Sequence, residues 1–220
     1  MIQALIFDLD GTLANTEMLH FKAWREALLQ NGVGEFTLED FLRYVGTSNE
    51  KVANDYIQSD GIKKSQKELI TEKQTLYMDL IPEVELCAGT REILERFHGK
   101  MSLAVASSSH EKEVRAILEI HDLISYFPVI LGGDMVQKRK PDPEIYVKSA
   151  GLLGIEPREC LAFEDSSSGL NAAKNAGMKT IVVPNEFTRE HDFTGADFIV
   201  DNLVQVDVQC IEQLGKLKNV

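Results

Sequence analysis

Two aspartates one residue apart, Asp8 and Asp10, follow the apolar run at residues 4–7 and precede Gly11. Residues i and i+2 of a strand point to the same side, so both carboxylates can face one small volume. Two like charges that close are costly unless a cation or a proton lies between them, and a bound metal ion would meet this need. The pattern equally suits a simple turn before a glycine, whereas its glycine spacing does not fit an EF-hand loop.

A second acidic pair, Glu164 and Asp165, ends another apolar run at residues 160–163. Carboxylates from two strand ends would suit a hard divalent ion such as Mg²⁺, which takes oxygen ligands. The alternative is helix capping, because Asp165 and the serines after it are good cap residues. Both interpretations can hold for different residues of the pair.

Two further segments offer groups that phosphate chemistry would need. Ser107 and Ser108 follow the run at 102–106 and open a helical pattern, whose free N–H groups would attract an anion. An ordinary helix start, with Ser108 and Glu111 as a capping box, is the alternative. Lys140 precedes Pro141 in a rigid segment and can point inward, although most lysines are solvated at the surface.

The elements that must position these residues alternate between short apolar runs and helical patterns, which is typical of parallel βαβ units. The runs are apolar throughout, as expected for strands buried on both faces. They predict an α/β fold with a doubly wound parallel sheet, formed by residues 4–7, 102–106, 128–131, 160–163, 180–183 and 197–200.

Residues 15–85 interrupt this alternation with four consecutive helical patterns. Gly32, Gly46 and Gly61 are expected to end the first three, and Ser65 with Glu68 is a capping box for the fourth. We therefore predict a core domain from residues 1–14 and 86–220, with residues 15–85 inserted as a helical cap domain.

Composition excludes several classes of partner. The chain has 220 residues and a net charge of −12, which disfavours binding to nucleic acid and to anionic membranes. Its three cysteines lack a C-x-x-C spacing, and no signal peptide or membrane segment is recognisable, so a cytoplasmic protein is expected. Oligomeric state leaves no signal in the sequence, and a monomer is assumed.

The four site segments, read in order, are "DLDGT", "ASSS", "KPDP" and "EDS". Together they resemble the motifs of the haloacid dehalogenase superfamily of phosphotransferases. "HFKAW", "VGTSNE" and "KPDPEIY" make the chain similar to the β-phosphoglucomutase-like branch of that superfamily. The resemblance implies a Rossmann-like core with a small helical cap.

The resemblance also implies a role for each motif residue. Asp8 would be the nucleophile that forms an aspartyl-phosphate, and Asp10 would be the general acid and base. The phosphate would be bound by Ser107, Ser108 and Lys140, with His20 of the insertion as a weaker candidate. Mg²⁺ would be held by Asp8, the backbone carbonyl of Asp10, Asp165 and, in support, Glu164.

The function expected from these residues is a Mg²⁺-dependent phosphatase that hydrolyses a small, sugar-like phosphomonoester. One alternative is a β-phosphoglucomutase, which returns the phosphoryl group to the sugar. Asn49 argues against it, because the mutase pattern has an arginine there to clamp a second phosphate. Other cations of the cap could partly replace that arginine: Lys73, Lys22, Arg25 or Arg43. The other alternative is a phosphate-binding protein without catalysis.

Overall fold

The computed structural model describes residues 1–216, and the chain divides into two compact units. One unit combines residues 1–15 with the chain from Glu85 onward, and the other comprises Thr16–Val84. Within residues 1–216, the helices are all too short or too polar to cross a lipid bilayer.

A six-stranded sheet forms the centre of the first unit, in the order β5-β4-β1-β6-β7-β8, and every neighbouring pair is parallel. A two-stranded antiparallel ribbon, β2 with β3, lies in the same unit. The strands are β1 (Ala4–Phe7), β2 (Ala14–Asn15), β3 (Glu85–Leu86), β4 (Ser102–Ala106), β5 (Val129–Leu131), β6 (Cys160–Glu164), β7 (Lys179–Val182) and β8 (Phe198–Ile199).

The doubly wound sheet predicted from the apolar runs is confirmed, since all six runs form its strands. The ribbon was not predicted, because a strand of two residues is too short to show a periodic pattern.

Strand β1 lies between β4 and β6, so it occupies the point where the strand order reverses direction. Phe7 pairs with Val105 on one side and with Phe163 on the other. The residues that follow these three strands therefore emerge together, and ligands bind at this edge of an open parallel sheet.

Small residues on one face of the sheet let helices pack closely against it. Ala4, Ala104 and Ala162 are fully buried there, and residues of two helices pack on them, including Tyr146 and Ala172. The helices of this unit are α5 (Thr90–Phe97), α6 (Glu111–Ile120), α7 (Glu144–Leu153), α8 (Ser167–Asn175) and α9 (Val208–Lys216).

The second unit consists of four helices around its own aromatic core, which includes Trp24, Phe36 and Phe41. The helices are α1 (Glu17–Gln30), α2 (Leu38–Leu42), α3 (Asn49–Asp60) and α4 (Gln66–Leu80). The capping box of Ser65 and Glu68 at the start of α4 is confirmed. Helix α2 ends at Leu42 and not at Gly46, because the chain goes over into tight turns there.

Candidate active site

A buried lysine joins the first acidic strand end to the second. Lys140 Nζ lies 2.6 Å from Asp8 Oδ1 and 2.6 Å from Glu164 Oε1, and it also donates to the carbonyl oxygen of Ala106 at 2.9 Å. Only 4% of the Lys140 side chain is exposed, so the solvated-surface interpretation of this lysine is wrong. The ammonium group compensates two carboxylates that would otherwise repel each other.

Burial and charge act in opposite directions on these groups. Burial raises the pKa of Asp8 well above its ordinary value, and the nearby Lys140 ammonium counteracts that rise. Burial lowers the pKa of Lys140, but Asp8 and Glu164 outweigh it and leave the pKa raised. The lysine therefore stays charged at any physiological pH.

Glu164 is fully buried and is held from several sides. The Tyr146 hydroxyl donates to Glu164 Oε1, the same oxygen that Lys140 contacts, and the Ser166 hydroxyl donates to Oε2 at 3.4 Å. A Cβ atom at position 169 would overlap the Glu164 carboxylate, so only Gly169 fits there. Burial and the Glu164 charge raise the pKa of Tyr146, which keeps its hydroxyl protonated as a donor.

The second aspartate of the first motif points toward the loop after β4. Ser107 and Ser109 each donate a hydroxyl hydrogen bond of 2.8 Å to Asp10 Oδ2. The Ser109 N–H in turn donates to Ser107 Oγ at 2.9 Å, which fixes both serines relative to Asp10. Asp8 and Asp10 are thus separated by their partners, one on a cation and one on two hydroxyls.

The third predicted residue of this loop, Ser108, has an exposed side chain. Its carbonyl oxygen accepts a hydrogen bond from Arg139 at 3.2 Å. The predicted capping box of Ser108 and Glu111 is wrong: α6 begins at Glu111, with His110 as N-cap and Glu113 as its box partner. Within the loop, Ser107 and Ser109 contact Asp10 and one another.

The carboxylates of Asp8, Glu164 and Asp165 meet the requirements of a small divalent ion. One oxygen of each lies within 4.8 Å of the others, and all three residues are buried. Three carboxylates with one lysine leave an excess of negative charge, and their hard oxygens are the ligands that Mg²⁺ prefers. The donor set therefore fits Mg²⁺.

Three residues that the sequence analysis missed complete this arrangement: Ser109, Tyr146 and Asn185. The first two lie within the motifs "ASSS" and "KPDPEIY", so their neighbourhood was a signal. Asn185 follows β7 outside every motif, yet its Nδ2 donates to Asp165 Oδ2 at 2.8 Å. No pattern in the sequence marks this contact.

His20 lies on helix α1 of the second unit. Its Nδ1 is 2.7 Å from the Nζ of Lys73, a lysine that is fully buried, and its ring stacks on Tyr77 at 4.2 Å. An ammonium group has only donors, so Nδ1 of His20 accepts and its proton resides on Nε2. Trp24 donates to the Asn49 side chain at 3.2 Å in the same unit.

Comparisons with known proteins agree with this geometry. The profile of haloacid dehalogenase-like hydrolases matches residues 5–183. Protein CbbY of Rhodobacter capsulatus is 33% identical over 97% of this chain and 99% of its own length. A phosphorylated carbohydrates phosphatase of Thermotoga maritima is 35% identical over 82% of this chain and 84% of its own.

The fold is similar to that of a relative solved with a ligand. A crystal structure of CbbY from Rhodobacter sphaeroides in complex with phosphate has a TM-score of 0.87 and 31% identity, and the match covers 93% of this chain and 96% of that one. With the motif residues gathered at the switch point of the sheet, the chain belongs to the haloacid dehalogenase-like hydrolase family.

Proposed function

We propose that the chain is a Mg²⁺-dependent phosphatase that hydrolyses a small, sugar-like phosphomonoester through an aspartyl-phosphate on Asp8. The observation that carries the proposal is the buried group of Asp8, Lys140 and Glu164 beside Asp165 at the switch point of the sheet. Relatives named as a carbohydrate phosphatase and as CbbY bound to phosphate support the substrate class.

In the first step, Asp8 attacks the phosphorus atom in line with the leaving oxygen. Lys140 holds Oδ1 of Asp8, so the other oxygen, Oδ2, makes the new P–O bond. The bond from phosphorus to the ester oxygen breaks, and Asp10 gives its proton to that oxygen, which leaves as an alcohol. In the second step Asp10 takes a proton from water, whose oxygen attacks phosphorus and releases Asp8 and inorganic phosphate.

The side chains around the two aspartates stabilise the charge that moves. Lys140 would contact the transferring phosphoryl group from its present position near Asp8, and Ser107 would do so once its hydroxyl turns away from Asp10. We propose that these two residues, together with Ser108, bind the phosphate group.

Asp8, the Asp10 carbonyl, Glu164 and Asp165 would hold Mg²⁺, which when bound neutralises charge on the phosphoryl oxygens. The ion would also favour the ionised form of Asp8 that the attack requires.

Hydrolysis is favoured over isomerisation by the charges available in the helical insertion, which we propose as the cap domain. Asn49 takes the place of the arginine of the mutase pattern and accepts a hydrogen bond from Trp24. Lys22 is paired with Glu83 at 2.8 Å, and Arg43 with Glu39 at 3.3 Å. Lys22 and Arg43 thus already have anionic partners, whereas Arg25 and Lys73, which contacts His20 Nδ1, keep the mutase alternative open.

A phosphate-release screen over sugar, nucleotide and glycerol phosphates tests the proposal, first with Mg²⁺ and then with EDTA. Asp8→Asn should abolish release, and Asp10→Asn should reduce it by roughly 10²- to 10⁴-fold, the share of general acid–base catalysis. Asp201→Asn, in an exposed loop of the same unit, is the matched control and should keep full activity. Full activity after exhaustive chelation, or in Asp8→Asn, would refute the proposal.

β-Glucose 1-phosphate separates hydrolysis from isomerisation. We expect free phosphate to appear much faster than glucose 6-phosphate, and Asn49→Arg to shift the balance toward isomerisation. Efficient formation of glucose 6-phosphate by the unmodified protein would identify a mutase.

A further inference from the structure

Asn185 lies in the turn that follows β7 and contacts the site through its amide group. Nδ2 donates to Asp165 Oδ2 at 2.8 Å and lies 3.4 Å from the carbonyl oxygen of Gly11. Asn185 lies 174 positions from Gly11 and 20 positions from Asp165 in sequence, and it thus links the turn after the two aspartates to the end of the second acidic pair.

The orientation of this amide is determined by its partners. Asn185 Oδ1 accepts the N–H of Phe187 at 2.8 Å. Exchanging the oxygen and nitrogen would place a carbonyl against the Asp165 carboxylate and an NH₂ group against a backbone N–H, and both contacts would be repulsive. The group that faces Asp165 is therefore a hydrogen-bond donor.

The turn itself holds the amide in place. The Asn185 N–H donates to Oγ1 of the fully buried Thr188 at 3.1 Å, and the Asn185 carbonyl oxygen accepts from the N–H groups of Thr188 and Arg189 at 3.2 and 3.0 Å. Both ends of the Asn185 side chain and its backbone are engaged, so little freedom remains for the amide to turn away.

The absence of a side chain at Gly11 leaves room for the contact between Asn185 and Asp165. Gly11 has a φ of 78°, and a Cβ atom there would overlap both the Asp165 carboxylate and the Asn185 amide. The glycine thus serves the approach of these two side chains as well as the turn of the backbone.

We propose that Asn185 is a positioning residue that fixes Asp165 for Mg²⁺ binding. By holding Oδ2, the neutral amide fixes the orientation of the Asp165 carboxylate, one oxygen of which lies within 4.8 Å of an oxygen of Asp8 and one of Glu164. An amide does so without adding positive charge, so the negative charge that attracts the ion is kept. The inference rests on the metal role that the proposed function gives to Asp165, and groups that orient a ligand in this way commonly set metal affinity.

Isothermal titration with MgCl₂, which requires no turnover, measures the effect. Asn185→Ala should weaken Mg²⁺ binding by about 10- to 100-fold, the usual cost of losing a group that orients a metal ligand. With Mg²⁺ raised to saturation, its kcat should return to near that of the unmodified protein. A role in folding alone would not give this dependence on Mg²⁺ concentration.

Thr188→Val is the matched control, because it removes one hydrogen bond of the same turn and keeps the Asn185 amide, which the Phe187 N–H, Asp165 and the backbone bonds to the Asn185 carbonyl oxygen still hold. It should lower the melting temperature and change the Mg²⁺ dissociation constant by less than about twofold, a difference well below the one expected for Asn185→Ala. Equal weakening by both variants, or unchanged affinity in Asn185→Ala, would overturn the inference.

The unmodified protein offers a measurement that does not depend on any variant folding. The side-chain amide signals of Asn185 in ¹⁵N-labelled protein should shift as Mg²⁺ is added, and unchanged signals at saturation would overturn the inference. If Mg²⁺ binds as expected but no phosphate ester is hydrolysed, the proposed function fails and the inference stands.

Discussion

Lys140 is the group whose removal has the most predictable energetic consequence. Its ammonium lies 2.6 Å from a carboxylate oxygen of Asp8 and 2.6 Å from one of Glu164, and both side chains are buried. Lys140→Met keeps the length and apolar stem of the side chain and removes the charge. Two buried carboxylates then face each other without a cation.

The destabilisation follows from the ways in which the variant can respond. Leaving a buried charge without its partner costs about 3–5 kcal/mol. The variant can instead take up a proton on Asp8, and at about pH 7.5 protonating a carboxyl of ordinary pKa in the unfolded chain costs about 5 kcal/mol. We therefore expect Lys140→Met to lower the free energy of unfolding by about 3–5 kcal/mol at this pH.

The loss should shrink in acid. Without the lysine, the pKa of Asp8 in the folded state rises further above its unfolded value, because the ammonium group that counteracts burial is gone, so the variant gains stability when protons are available. The stability that this proton contributes to the variant is fully present below the pKa of the carboxyl group in the unfolded chain. It is lost as the pH rises toward the pKa in the folded state, with a slope of about 1.4 kcal/mol per pH unit for one proton. At about pH 5.5 the difference from the unmodified protein should fall by up to about 2–3 kcal/mol, the upper limit applying because the pKa of Asp8 is already raised in the unmodified protein.

Urea denaturation in EDTA, at both pH values, provides the measurement. Lys174→Met is the matched control, because Lys174 pairs with Asp197 at 3.1 Å with 38% of its side chain exposed. Such a surface pair contributes at most about 1 kcal/mol. A loss below about 1 kcal/mol for Lys140→Met, or a loss that grows in acid, would refute the reasoning.

Further predictions concern stability and reactivity elsewhere in the first unit. In urea denaturation, Thr180→Val should raise the free energy of unfolding by about 1 kcal/mol, because the Thr180 hydroxyl is buried without a hydrogen-bond partner. Thr90→Val should lower it by about 1–3 kcal/mol, because the equally buried Thr90 hydroxyl has a partner. Opposite signs would contradict the hydrogen-bond assignment. Burial raises the pKa of Cys160 to about 12, so iodoacetamide should alkylate Cys160 more slowly than the half-buried Cys87. Mass spectrometry measures the two rates, and equal rates would contradict this prediction. Tyr146→Phe should cost about 1.5–3 kcal/mol, the range for a hydrogen bond to a charged group, and an unchanged urea midpoint would show that the hydroxyl is not needed.

The sheet could be predicted because its strands, apart from the edge strand β8, are buried on both faces and therefore read as continuous apolar runs. The acidic pairs could be located at strand ends for the same reason. Their meeting at one edge follows from the strand order, in which β1 separates β4 from β6. A pattern rule was sufficient for these features because each depends on local sequence and on general sheet topology.

Contacts between distant segments could not be predicted in this way. Asn185 reaches Asp165 from a turn that carries no motif, and its role depends on the space that Gly11 leaves. Ser108 as the N-cap of α6 was one of two alternatives, and the choice between Ser108 and His110 depends on how the loop packs against Asp10. These choices are settled by tertiary contacts, to which helix-capping preferences are only a weak guide.

The central claim is that Asp8 forms the covalent intermediate, and borohydride trapping tests it most directly. Borohydride reduces an acyl phosphate to an alcohol, so treatment during turnover should convert Asp8 to homoserine, which peptide mass spectrometry identifies by position. We expect this product at Asp8 alone, and not after EDTA treatment or in Asp8→Asn. Reduction at another residue, or sustained phosphate release with Asp8 unmodified under trapping conditions, would contradict the account.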